Sequence, residues 1–134
     1  MAQDVKGLER HQLNDSINVK AIVAGILVTF FLTLLVSGGL ALTVYLTNVT
    51  ESQVVMILYY SGMLTLAIGG GLAARWANNL GWVHGGLSGV LYVILATLVG
   101  MFFFPGGYAF ANVAQRVLAG FFLGALGGII GINA

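Results

Sequence analysis

Read from its start, the chain is polar for about twenty residues and then apolar for nearly all of its remaining length. No charged side chain lies between Lys20 and Glu51. The apolar run at about 21–46 is followed by others at about 53–74, 81–104 and 112–132. They are separated by the polar turn Thr47-Asn48-Val49-Thr50-Glu51-Ser52, by Ala77-Asn78-Asn79-Leu80 and by the break Pro105-Gly106-Gly107. Each run meets the ~20 residues needed to cross a hydrocarbon core of ~30 Å. Backbone polar groups inside hydrocarbon must be paired within the protein, so a spanning segment is a helix or a strand of a closed barrel. Barrel strands alternate apolar and polar residues, and these runs do not. The pattern predicts an all-α, integral membrane four-helix bundle over residues 21–134, built as two helical hairpins, behind a segment 1–20 at the membrane surface.

In that first segment Leu8, Leu13, Ile17 and Val19 fall at helix-compatible spacing among Asp4, Lys6, Glu9, Arg10, His11, Asp15 and Lys20. The reading is a short interfacial helix or a loose tail. The first apolar run begins too late and runs too long for a signal peptide.

Composition agrees with the pattern. The chain is 59% hydrophobic and 7% charged, with a mean hydropathy of +0.99, where a soluble domain carries roughly 25% charged residues. A net charge of +1 without a basic cluster gives no footprint for nucleic acid. Cysteine is absent, which removes thiolate metal sites and thiol nucleophiles. Lys6, Arg10, Lys20 and Arg75 fall on one side of the membrane and Arg116 on the other. The positive-inside rule then places both termini in the cytoplasm, in a multi-pass protein of the cytoplasmic membrane.

Twenty glycines change the picture further, because glycine is useful in membrane helices mainly where backbones approach closely. Gly81, Gly85 and Gly89 recur at every fourth residue, as do Gly120, Gly124 and Gly128, so each set lines one helix face. Gly70 and Ala74 continue the pattern in the second span, with Gly62 two turns earlier. Such glycine-rich interfaces pack helices inside one bundle or dock a second copy or a partner, and the spacing alone is compatible with both. Residues 66–74 also resemble residues 123–131. Two parallel-related hairpins and the common look of glycine-rich helices both account for this.

Few polar groups are left to carry chemistry. Arg75 and Arg116 lie near helix ends, where long side chains reach the headgroups. His84 is one turn into its helix, beside Trp82, Gly85 and Gly86, placed to titrate or to hydrogen-bond toward the Arg75 turn. No carboxylate falls within a span, which argues against proton-coupled exchange and paired-carboxylate hydrolysis. Two histidines far apart make a poor metal site. The membrane hydroxyls Thr29, Thr33, Ser37, Thr43, Ser61, Thr65, Ser88 and Thr97 are expected to bond back to carbonyls one turn earlier. Ser88 has only His84 as a base and no group to orient it. No catalytic residue, cofactor or metal is expected. Tyr92, Phe102, Phe103, Phe104, Tyr108 and Phe110 read as an aromatic belt and plug toward the outer side.

The run Gly69-Gly70-Gly71-Leu72-Ala73-Ala74-Arg75, followed by Gly81-Trp82-Val83-His84-Gly85-Gly86-Leu87, resembles the pattern of a family of small uncharacterised four-helix membrane proteins. That family occurs in Gram-positive, largely spore-forming bacteria. The resemblance implies a cytoplasmic-membrane location and draws attention to Arg75, Trp82, His84, Gly85 and Gly86. It implies no substrate. The function expected is that of a helix-packing accessory or scaffold subunit, self-associating or bound to a larger membrane complex in the bilayer. The alternative is a homo-oligomeric channel or transporter for a small neutral or anionic solute. A pore needs polar groups along one continuous face, and the hydroxyls here are scattered.

Overall fold

The computed structural model describes residues 17–103, 106 and 110–134. It contains helices α1 (Val19–Leu46), α2 (Glu51–Ala77), α3 (Gly81–Phe103) and α4 (Phe110–Asn133), and no strand among the described residues. All four are long and apolar enough to cross a membrane. At 28 residues and ~1.5 Å per residue, α1 is about 42 Å long, so it must tilt in a ~30 Å core or project beyond it. Residues 1–16, where an interfacial helix or tail is expected, lie outside the described residues, as do Phe104, Pro105 and Tyr108.

The helices begin and end up to three residues from the edges of the apolar runs, because polar caps set the boundaries. Asn18 caps α1, its side-chain oxygen accepting from the Ala21 N–H at 3.3 Å. At the start of α2 the Gln53 side chain accepts from the Thr50 N–H at 3.3 Å, which draws the polar residues Glu51 and Ser52 into the helix. Asn78 ends α2 in the left-handed conformation (φ 58°), donating its N–H to the Ala74 carbonyl at 3.0 Å, a conformation asparagine tolerates well.

α2 and α3 form the middle of the bundle. α4 packs against both from one side and α1 against both from the other, with no contact between α1 and α4 among the described residues. Packing is strongly lopsided along the bundle axis. Every buried described residue falls within 21–29, 65–74, 81–93 or 120–128. Because neighbouring hairpin helices run in opposite directions, these four stretches lie at one end, the end that holds Asn18 and the α2–α3 turn. Toward the other end the helices expose long apolar side chains such as Leu42, Tyr60, Leu98 and Leu118, as lipid contact requires.

Glycine makes the tight end possible. Gly81, Gly85 and Gly89 of α3 oppose Gly128, Gly124 and Gly120 of α4 in antiparallel order. A Cβ on Gly81 would fall 2.7 Å from the Gly128 carbonyl oxygen, and one on Gly70 2.6 Å from that of Gly124. The stretches 66–74 and 123–131, alike in sequence, lie against one another along the parallel helices α2 and α4: Gly70 meets Gly124, and Gly71 meets Gly127 and Gly131. Across the bundle, Gly25 of α1 faces Ala73, and Thr29 fills the space that Gly69 leaves open. Between helices in lipid, attraction comes from dispersion and weak Cα–H···O contacts rather than the hydrophobic effect, and both need such short approaches.

Candidate functional site

The α2–α3 turn gathers the chain's polar chemistry at the tight end. Leu80 adopts a positive φ of 42°, a conformation that costs a non-glycine residue about 1 kcal/mol. What it gains is a carbonyl aimed along α3. That oxygen accepts from the N–H groups of Val83 at 3.0 Å and His84 at 3.1 Å, and the His84 ring nitrogen Nδ1 lies 3.1 Å away.

His84 is fully buried. On its other side, Nε2 lies 2.8 Å from the backbone N–H of Asn18. A backbone N–H only donates, so Nε2 must carry a lone pair, and Nδ1 then holds the proton and donates it to the Leu80 carbonyl. Both nitrogens are thereby engaged in the neutral ring, and the tautomer is fixed. His84 ties the capping residue of α1 to the turn before α3, across 66 positions of sequence. Ser88 is turned elsewhere, its hydroxyl donating to the Gly85 carbonyl at 2.8 Å.

The other motif residues divide in two. Gly85 touches Gly124 and Gly128, while Gly86 seats the Phe121 ring, whose Cε2 would lie 2.7 Å from an added Cβ. Ala74 is fully buried. Arg75 is exposed in the last turn of α2, where a cation complements the helix dipole. Trp76 and Trp82 are half-exposed on either side of the turn, in keeping with amphipathic rings at a headgroup boundary. Arg75 and Trp82 therefore face outward, whereas His84, Gly85 and Gly86 face into the bundle. No group of three His, Cys, Asp or Glu side chains able to hold a metal is present among the described residues.

A second polar cluster lies near the middle of the helices. Tyr92 departs from the expected aromatic belt. Its hydroxyl points inward and donates to Thr33 Oγ1 of α1 at 2.9 Å, while its ring meets Phe30 edge-on with centroids 6.4 Å apart. Thr33 donates in turn to the Thr29 carbonyl at 2.8 Å, and Thr65 donates to the Gly62 carbonyl at 2.9 Å. Asn18, Leu80, Phe121 and the Tyr92–Thr33 pair do not stand out as partners in the sequence. Only Asn18 has a local signal, as a capping residue just before an apolar run.

Four spanning helices, glycine contacts joining α3 to α4, and a buried polar tie at one end define a multi-pass helical membrane protein. The chain belongs to the DUF3792 family of proteins of unknown function, which matches residues 18–131. Neither the curated proteins nor the solved structures contain a match to it.

Proposed function

We propose that this protein is a helix-packing accessory or scaffold subunit of the cytoplasmic membrane, with both termini cytoplasmic. It self-associates or binds a larger membrane complex through the loosely packed half of α1. The observation that carries this reading is the pair Gly38 and Gly39. Both are exposed, and an added Cβ at either would meet nothing within 4 Å. The glycine faces of α3 and α4 are filled from within the chain, so an outward contact falls to the side of α1 that no other helix covers. Two adjacent glycines inside a helix weaken it and have no partner in the monomer to offset that.

The absence of native cysteine makes the test clean. Gly38→Cys and Gly39→Cys are placed singly in native membranes and oxidised with copper phenanthroline. A covalent dimer is expected from at least one of them, each copy supplying one thiol of the disulfide, and not from Leu118→Cys, which is similarly exposed on α4. Cross-linking no stronger than at Leu118 would remove self-association through α1. A conducting role has less support, because Thr29, Thr43 and Thr97 turn their hydroxyl protons back onto helix carbonyls at 2.7–2.9 Å.

A further inference from the structure

The first turns of α1 and α3 meet at the tight end, and a single imidazole joins them. The other polar ties of the bundle use hydroxyls, amides and carbonyls, which keep one protonation state. Histidine is the exception, since its charge ordinarily changes between about pH 5 and 8.

The tie leaves the ring no place for a second proton. The Asn18 N–H brings a hydrogen to Nε2 and has no lone pair to receive one, so a protonated Nε2 would set N–H against N–H across 2.8 Å. Nδ1 is already occupied in donating to the Leu80 carbonyl. Proton uptake and the tie to α1 therefore exclude one another.

Nor do the surroundings offer a counter-charge. Among the described residues α1 brings Lys20 to this end and α2 brings Arg75, both exposed cations. α3 has no other titratable side chain before Tyr92, whose hydroxyl is bonded to Thr33. Tyr45, Tyr59, Tyr60 and Arg116 lie toward the other end, where Glu51 opens α2. A buried charge left without a partner is strongly disfavoured. Water is close by, because Asn18 is exposed and Leu80 half-buried.

We propose that His84 is an acid-released latch on α1: a proton on its ring frees the first turn of α1 from the start of α3, and loss of that proton closes the tie again. The release is local. Farther along, α1 is held by Gly25 against Ala73, by Thr29 against Gly69 and by the Tyr92 hydroxyl on Thr33, none of which involves an imidazole. The tie has its full strength above ~6.5, where a hydrated imidazole takes up its proton. It weakens as the pH falls further, by up to about tenfold per pH unit, because the released state alone binds the proton.

Hydrogen exchange followed by NMR on the full chain in lipid nanodiscs tests this, with each amide read as a protection factor so that the intrinsic pH dependence of exchange cancels. From about pH 7.5 to about pH 5.5, protection of the Asn18 amide should fall roughly tenfold. That of the Val93 amide, in the middle of α3, should stay constant. His84→Gln can offer a carbonyl oxygen to the Asn18 N–H but takes up no proton, and its Asn18 protection should not change with pH. His84→Phe should give a lower protection that is equally flat. The nitrogen resonances of the wild-type ring need no variant: while Asn18 is protected they should report the neutral Nδ1–H tautomer. An imidazolium signal beside a protected Asn18 amide overturns the proposal. So does protection of Asn18 that is independent of pH in the wild type, an equal fall at Val93, or a fall as steep in either variant.

Discussion

Gly124→Leu is expected to eliminate the folded bundle. Gly124 is the residue where three helices converge, touching Gly70 of α2 and both Gly85 and Gly89 of α3. Extra methylenes in a packed core cost about 1–3 kcal/mol when neighbouring side chains can shift. Here the neighbours are main-chain atoms of α3, with the Gly85 carbonyl carbon 3.0 Å and the Gly89 Cα 3.3 Å from an added Cβ. Nothing flexible is present to move, so α4 must separate from α3. Gly124→Ala should already lose about 1–3 kcal/mol. Gly39→Leu, facing open space, should stay within about 0.5 kcal/mol of the wild type. Thermal unfolding in mild detergent, followed by size-exclusion chromatography, ranks the three. A stable, folded Gly124→Leu monomer would show that this contact does not hold the bundle together.

The second large effect is expected at His84, where two variants separate packing from hydrogen bonding. His84→Phe keeps most of the ring volume and deletes both nitrogens. The Leu80 carbonyl still has the N–H groups of Val83 and His84 itself, so the loss falls on the Asn18 N–H. Unsatisfied buried donors cost about 1–3 kcal/mol. Asn18 is exposed and water can reach it, which puts the figure near about 1 kcal/mol. His84→Ala empties a fully buried site as well and should cost about 3 kcal/mol or more. The diagnostic measurement is hydrogen exchange at the Asn18 amide. Both variants should accelerate it by roughly tenfold, since ~1.4 kcal/mol is a factor of ten, and exchange in the middle of α3 should stay slow in His84→Phe. An unchanged Asn18 amide would mean that the ring does not hold the start of α1.

The four helices were legible in the sequence because hydropathy and length suffice to define a span, and the start of α1 and both ends of α2 shift where Asn18, Gln53 and Asn78 supply caps. The pairing of glycines was not. Four-residue spacing identifies a face but not what lies opposite, and Gly38, Gly39 and Gly62 look in sequence like Gly81 or Gly124 although open space surrounds them. The partner of His84 was hidden for a different reason. It is a main-chain N–H, and a backbone group leaves no signature in the order of side chains. Tyr92 was read with its aromatic neighbours toward the membrane surface, yet one hydroxyl on α1 is enough to turn it inward. At the turn motif the sequence drew Arg75, Trp82 and His84 together. The structure divides them into outward-facing residues and an inward tie.

The separation of α1 from α4 has a consequence in time. A ribosome delivers α1 first, when neither α2 nor α3 exists to receive it, and the imidazole that holds its capping residue emerges 66 positions after Asn18. α1 can pack on α2 once the second helix inserts, through Gly25 against Ala73 and Thr29 against Gly69, but its start stays untied until the third helix brings His84. α4, made last, can still close onto α2 and α3 from the free side without displacing it. Assembly from both flanks toward a shared central pair suits a chain synthesised from one end.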